Sequence, residues 1–275
     1  MKWAADGFCG MEVVMGKLRL GILGNGYLAG IVVEAFEKGL LPEYELVGIM
    51  GRTPEKTGAL AERAGCAPCG SIGELLDRKP DYIAEAASVA AVRDYAVRIL
   101  EAKCGLVVLS IGAFADRSFY EQVEKAAAAN GARVYIASGA VGGFDVLRTI
   151  ALMGQAKAGI ETHKGPKSLM NTPLFEESLL TDGEERHVFE GNAKEAIGLL
   201  PTKVNVAVAA SLAAADPERM RMDIYSVPGF VGDDHRITSE IDGVKAVVDI
   251  YSSTSAIAGW SLVAVLRNLV SPIVF

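Results

Sequence analysis

The chain has 275 residues, enough for two compact lobes that each bury a core but too few for a long array of domains. A net charge of −7 argues against a nucleic-acid or anionic-membrane surface, which needs clustered Lys and Arg, and leaves small molecules as the expected partners. Four cysteines, at positions 9, 66, 69 and 104, are too scattered for a disulfide framework, so a reducing, cytoplasmic compartment is expected.

The first fifteen residues carry Lys2 but are interrupted by Asp6 and Glu12, so they lack the continuous apolar core of a signal peptide. They read as an extension without fixed structure, with Met15 as an alternative start. From Leu18 a short apolar run ends in Gly24-Asn25-Gly26, and a helix-compatible segment follows from Tyr27 to Lys38. Two glycines there permit a tight turn and let backbone N–H groups approach a pyrophosphate, while the positive end of the helix faces the same anion. Ala29 stands where the third glycine of G-x-G-x-x-G is expected, and it is small enough to keep helix and strand close.

Glu45–Met50 reads as a second strand, ending in Gly51-Arg52-Thr53-Pro54. An acid at this distance from the glycines accepts ribose hydroxyls, whereas an Arg suits a 2′-phosphate. Arg52 therefore favours NADP over NAD, with a solvated surface Arg as the plain alternative. A charged helix is expected over Pro54–Ala64. Cys66-Ala67-Pro68-Cys69 stands alone, with no second pair to complete a zinc site, and reads as a loop. Ser71 then caps a short helix, with Glu74 at the capping-box position.

Strands at Tyr82–Ala86, Leu106–Ser110 and Arg133–Ala137 alternate with helices at Val89–Ala102 and Asp116–Asn130, the latter closed by Gly131. Such alternation requires parallel crossovers, and the fold class read from it is α/β, a doubly wound parallel sheet of Rossmann type. Ligands bind outside the carboxyl ends of such strands. Cofactor contacts are therefore expected from Gly24, Asn25, Gly26, Tyr27 and Leu28, from Arg52 and Thr53, from Ala87 and Ser88, and from Ile111, Gly112 and Ala113.

After a helix at Asp145–Ala156 the pattern changes. Period-two segments at Gly159–His163, Glu185–Glu190, Met220–Val227, His235–Ile241 and Lys245–Ile250 predict a mixed or antiparallel sheet, with helices at Ala193–Leu200 and Lys203–Ala215. This is a second, α+β domain. The predicted division is an extension over 1–15, a dinucleotide-binding domain over 16–140, a substrate and catalytic domain over 141–253, and a last helix within 254–275 that returns to the first domain. The longest apolar uncharged stretch, 204–215, is far below membrane-spanning length.

Five stretches are more specific than the glycine turn: Ser110-Ile111-Gly112-Ala113-Phe114-Ala115-Asp116, 137–145, Val188-Phe189-Glu190-Gly191 leading to 201–207, Lys164-Gly165-Pro166-Lys167-Ser168-Leu169, and Asp233-Asp234-His235-Arg236-Ile237. In their order and spacing along the chain they resemble the L-aspartate dehydrogenase family, over nearly the whole chain after Gly16. The resemblance implies an NAD(P)-dependent oxidoreductase that converts L-aspartate to iminoaspartate, which hydrolyses to oxaloacetate and ammonia or feeds NAD biosynthesis. It implies cofactor contacts at Ala140 and Asn205 and a catalytic acid/base at His235. The two carboxylates beside His235, which this reading puts on a loop entering a strand, are expected to raise its pKa and orient its ring. Substrate carboxylates need cationic or N–H partners, and the candidates are Lys167, Ser168 and Thr254 together with the backbone of Ser138 and Gly139.

One departure bears on the substrate. Tyr251-Ser252-Ser253-Thr254-Ser255 is shorter than the family's corresponding segment and has Ser253 in place of its lysine. An oxidoreductase of another amino, imino or hydroxy acid, or a non-catalytic NADP-binding regulator, therefore stays open beside the aspartate reading. Apolar surface in the second domain adds the expectation of a homodimer.

Overall fold

The computed structural model describes residues 16–200 and 205–275. The N-terminal extension and the start of the helix expected at Lys203 lie outside the described residues.

The first half alternates strand and helix: β1 Leu18–Leu23, α1 Tyr27–Glu37, β2 Tyr44–Met50, α2 Pro54–Ala64, β3 Ala67–Cys69, α3 Ile72–Asp77, β4 Tyr82–Glu85, α4 Val89–Glu101, β5 Gly105–Val108, α5 Arg117–Asn130 and β6 Val134–Ile136. A 3-10 turn, Ile111–Ala115, follows β5. All pairings are parallel in the order β3-β2-β1-β4-β5-β6. That order reverses beside β1, which opens a crevice at the carboxyl ends of β1 and β4.

Local chemistry explains the boundaries. Ser71 Oγ accepts from the Glu74 N–H at 3.2 Å and Asp116 caps α5 through the Ser118 and Phe119 N–H groups, while Gly131 closes α5 in the left-handed region. Glu74 does not complete a capping box on Ser71. Its carboxylate takes the N–H of Gly70, one residue earlier.

The CxxC segment is a correction to the sequence reading. Its last three residues are not loop but the edge strand β3, Ala67–Cys69, paired with Gly48–Met50. Pro68 is tolerated because an edge strand needs ladder bonds on one side only. Gly48 is required by the approach, since a Cβ there would fall 2.9 Å from Cys69 Sγ. Burial pushes the Cys66 thiol up to about 11 and raises that of Cys69 as well, so both are held as unreactive thiols.

The second half contains α6 Phe144–Met153, β7 Lys157–Lys164, α7 Pro166–Leu169, β8 Arg186–Asn192, α8 Ala193–Leu199, α9 Asn205–Ala214, β9 Arg221–Ser226, β10 Asp233–Ile241, β11 Val244–Ser252 and α10 Ala256–Val270. Its sheet is mixed, in the order β11-β10-β7-β9-β8, with β7 and β9 parallel and the other pairs antiparallel.

Two elements join the halves. The helix α9 is apolar on all sides: Val208 and Ala209 enter the core of the first sheet, and Ala207, Ala210 and Ala214 enter that of the second. The last helix packs on α1, where Leu262 and Leu266 are fully buried, each contributing roughly 1.5–3 kcal/mol. Its Gly259 lies so close that a Cβ would fall 2.6 Å from Ile31 Cδ1, and the Tyr44 hydroxyl donates to the Leu266 carbonyl at 2.7 Å. Among the described residues no helix is long and apolar enough to cross a membrane.

Candidate active site

The glycine turn after β1 forms one wall of a cleft of about 400 Å³, lined also by Arg52, Thr53, Lys56, Ala87 and Ser88. Its two glycines serve different ends. Gly24 has φ +132°, and a Cβ on it would fall 2.4 Å from the Ala86 carbonyl oxygen. It is therefore required by the fold. Gly26 has an ordinary extended φ of −91°, and a Cβ there would meet no atom within 4 Å. Nothing in the protein needs a glycine at 26, so the open space before the α1 N-terminus is a cradle of the kind a pyrophosphate fills.

Asn25 acts within the protein. Its Nδ2 donates to the Thr53 carbonyl and to Thr57 Oγ1, both at 2.9 Å, and its side chain covers Gly51, where a Cβ would fall 2.3 Å from Asn25 Cγ. It ties the glycine turn to the loop that carries Arg52. Lys56, not singled out in the sequence, lines the same cleft one turn into α2, and neither cation is in an ion pair among the described residues. Tyr27, the first residue of α1, is largely exposed and Leu28 half-buried.

Glu85, at the end of β4, is fully buried. Its carboxylate accepts from the N–H groups of Ala87, Ser88, Leu109 and Ser110 and from the Ser110 hydroxyl. In the sequence it reads only as a residue of the strand Tyr82–Ala86. The signal available was a lone acid closing an apolar strand. Next along, Ile111, Gly112 and Ala113 are buried in the 3-10 turn, and the Gly112 N–H donates to Asn205 Oδ1 at 2.9 Å, bringing two expected cofactor residues from different halves together.

The remaining expected residues gather around the second sheet and α10. The loop 138–143 lies against β11, where a Cβ on Gly142 would come 3.6 Å from Ile250 Cδ1; Ile250 is the register partner of His235. The Gly139 N–H donates to Ser261 Oγ at 3.0 Å, which corrects its assignment as a substrate donor, because that hydrogen is engaged by α10. Ala140 follows it in the same loop, after Ser138.

His235 is inside β10, not on a loop, and is 2% exposed. Its Nδ1 lies 3.0 Å from the hydroxyl oxygen of Thr162, its register partner on β7. Two register positions along, on the same face, Lys164 donates to Asp233 at 2.5 Å. The expectation of a raised pKa is overturned: burial, then the Lys164 charge, pull His235 down to about 4, against the upward push of Asp233. Asp234 takes no part on this face, because strand alternation sends it to the other. Lys164, half-buried and close enough to the imidazole to depress its pKa, is the cation of this region that the sequence reading passed over for Lys167. Lys167 is exposed in the short helix α7, and Ser168 donates to the Gly165 carbonyl. Thr254 is exposed and turns the chain into α10 by accepting the Ala256 N–H.

The site residues thus fall into two groups along the carboxyl edge of the parallel sheet: a turn-and-cation group in the cleft, and the group of Gly112, Asn205, the 138–143 loop and His235. Residues 145–269 match the family model described as aspartate dehydrogenase, C-terminal, and residues 24–137 match one described as homoserine dehydrogenase, NAD binding domain. L-Aspartate dehydrogenase of Methanococcus maripaludis is 31% identical over 265 residues, spanning 93% of this chain and 98% of that one.

The chain belongs to the L-aspartate dehydrogenase family. Another member, from Methanosarcina mazei, is 30% identical over 267 residues and again 98% covered. The crystal structure of aspartate dehydrogenase from Thermotoga maritima superposes with a TM-score of 0.71 at 26% identity, over 94% of this chain and all of that one. The fold is shared more widely, for instance with an amine dehydrogenase from Mycobacterium smegmatis at a TM-score of 0.59 and 13% identity. This aspartate dehydrogenase family member is an oxidoreductase with a nicotinamide-dinucleotide lobe.

Proposed function

We propose that this protein is an NAD(P)-dependent L-aspartate dehydrogenase that favours NADP(H). The reaction takes a hydride from Cα of L-aspartate and a proton from its nitrogen, and water then converts iminoaspartate to oxaloacetate and ammonia. The observation that carries the reading is the continuous full-length kinship: both halves of the chain align with one L-aspartate dehydrogenase, over 93% of this chain.

The nicotinamide, when bound, supplies the hydride acceptor. The residues that would hold the dinucleotide are the Gly24–Gly26 turn for its pyrophosphate and Arg52 with Lys56 for a 2′-phosphate. Ala87, Ser88, Ile111–Ala113, Ala140 and Asn205 are the residues that would face the nicotinamide half. His235 is the acid/base. A buried imidazole whose pKa lies at about 4 is neutral at physiological pH and so ready to accept a proton. For Nε2 to be the basic atom, Nδ1 carries the hydrogen and Thr162 Oγ1 accepts it, which fixes both the tautomer and the ring plane. Lys164, held by Asp233, is a cation for one substrate carboxylate and answers the lysine missing at Ser253.

A spectrophotometric panel tests this. NADPH oxidation should require oxaloacetate and ammonia together, and among amino acids L-aspartate should give the fastest reduction of NADP. Turnover of a hydroxy acid without ammonia dependence would replace the reading. Light scattering on the purified protein tests the homodimer that accompanies it.

A further inference from the structure

The Glu85 carboxylate has no cationic partner among the described residues, yet it is buried completely. An anion in that position is retained only where donors replace its water. Five do so, and they come from two places: Ala87 at 2.8 Å and Ser88 at 3.0 Å follow β4, while Leu109 at 3.2 Å and Ser110 (N–H at 2.9 Å, hydroxyl at 2.8 Å) follow β5. Burial pushes the carboxyl up and the donors oppose that push; a protonated carboxyl would turn its own hydrogen against one of them. Both loops stand at the carboxyl edge on the β4–β5 side of β1, whereas the Arg52 loop stands on the β2 side. A dinucleotide laid across the switch point has its adenosine half on the latter and its nicotinamide half on the former.

We propose that Glu85 is a positioning residue for the nicotinamide half of the dinucleotide: its carboxylate clamps the 86–88 and 109–112 loops to one another and so sets the surface against which the reactive ring lies. Resting on the dinucleotide reading above, the proposal does not depend on which amino acid is oxidised. Glu85→Gln keeps the size but replaces one acceptor oxygen with an NH₂ that faces N–H donors. Arg52 and Lys56 make none of these bonds, and of the two clamped loops only 86–88 reaches the cleft that they line.

The test compares two probes on wild type and Glu85→Gln: whole NADPH, and the fragment 2′,5′-ADP, which lacks the nicotinamide half. The NADPH Kd is expected to rise about tenfold or more, from the loss of hydrogen bonds to a charged acceptor. The fragment should bind within about twofold of wild type, and in turnover KM should rise for the dinucleotide and stay level for the amino acid. Equal weakening of both probes would make Glu85 merely a fold residue and overturn the proposal, as would no weakening of either. Should Glu85→Gln fail to fold, Ser110→Ala removes one donor of the five. It should weaken NADPH about two- to fivefold with 2′,5′-ADP unmoved, and unchanged NADPH affinity would count against the clamp. A wild type that binds NADPH but does not oxidise aspartate would sink the substrate assignment and leave this comparison intact.

Discussion

The Thr162 hydroxyl lies 3.0 Å from His235 Nδ1, and the two residues are register partners on adjacent strands, both out of contact with water. An imidazole held this way has one ring nitrogen occupied and the other free to exchange a proton in a fixed direction. Thr162→Val keeps the shape and removes the hydrogen bond. It is expected to lower kcat by roughly ten- to a hundredfold with little change in KM for the dinucleotide, the order found for groups that orient a general base. Steady-state kinetics on the purified variant decide this; unchanged kcat would remove Thr162 from the mechanism.

The depressed pKa of His235 links stability to pH. In the folded state the ring protonates near pH 4, and in the unfolded chain near its ordinary 6.5. Between these values the unfolded chain binds more protons, so stability is fully present above about pH 6.5 and is lost as pH falls toward 4. A shift of this size corresponds to about 3 kcal/mol, an upper figure given the neighbouring Lys164. His235→Asn should flatten that part of the curve in urea unfolding followed across pH 4 to 7, and should abolish turnover while leaving dinucleotide binding in place.

Arg52 and Lys56 line the cleft without an ion pair among the described residues, and Gly51-Arg52-Thr53-Pro54 after β2 has no acid where a ribose-binding one would stand. Removing a cation that bonds a phosphate costs about 1.5–3 kcal/mol, or roughly ten- to a hundredfold in Kd. Arg52→Ala should weaken NADP by that factor and leave NAD within about threefold, as read by fluorescence titration. Equal loss for both cofactors would mean that the loop supports the cleft without reading the 2′-phosphate.

Much of the fold was legible because its signals are local. Apolar runs of four to seven residues, a serine or aspartate before each of α3, α4 and α5, and Gly131 after α5 each depend on neighbours a turn away. What escaped depends on distance. Three residues of β3 are too few to show a period, and Pro68 speaks against a strand until the edge position is known. His235 looked like a loop residue because two aspartates precede it, although they begin the strand, and Asp233 is balanced there by Lys164 from β7. Lys164 owes its importance to Asp233, 69 residues away, and Glu85 in large part to donors 24 and 25 residues away, which sequence spacing does not reveal. The helix expected from Asp145 starts one residue earlier, at Phe144, with Gly143 before it.

The two glycines of the first turn offer the sharpest separation of fold from ligand. At Gly24 an added methyl group meets the Ala86 carbonyl at 2.4 Å in a backbone conformation that L residues rarely adopt, so both clash and strain oppose it. Gly24→Ala should therefore destabilise the protein by about 2–4 kcal/mol, visible as a lower urea midpoint without any cofactor present. At Gly26 the methyl group meets nothing and φ is ordinary, so Gly26→Ala should keep its midpoint to within about 1 kcal/mol. Its methyl group would stand in the space the pyrophosphate needs, and NADPH affinity should fall by tenfold or more, roughly 1.4 kcal/mol at the least. A Gly26→Ala protein that binds NADPH as wild type does would show that the dinucleotide crosses the sheet edge somewhere other than this turn.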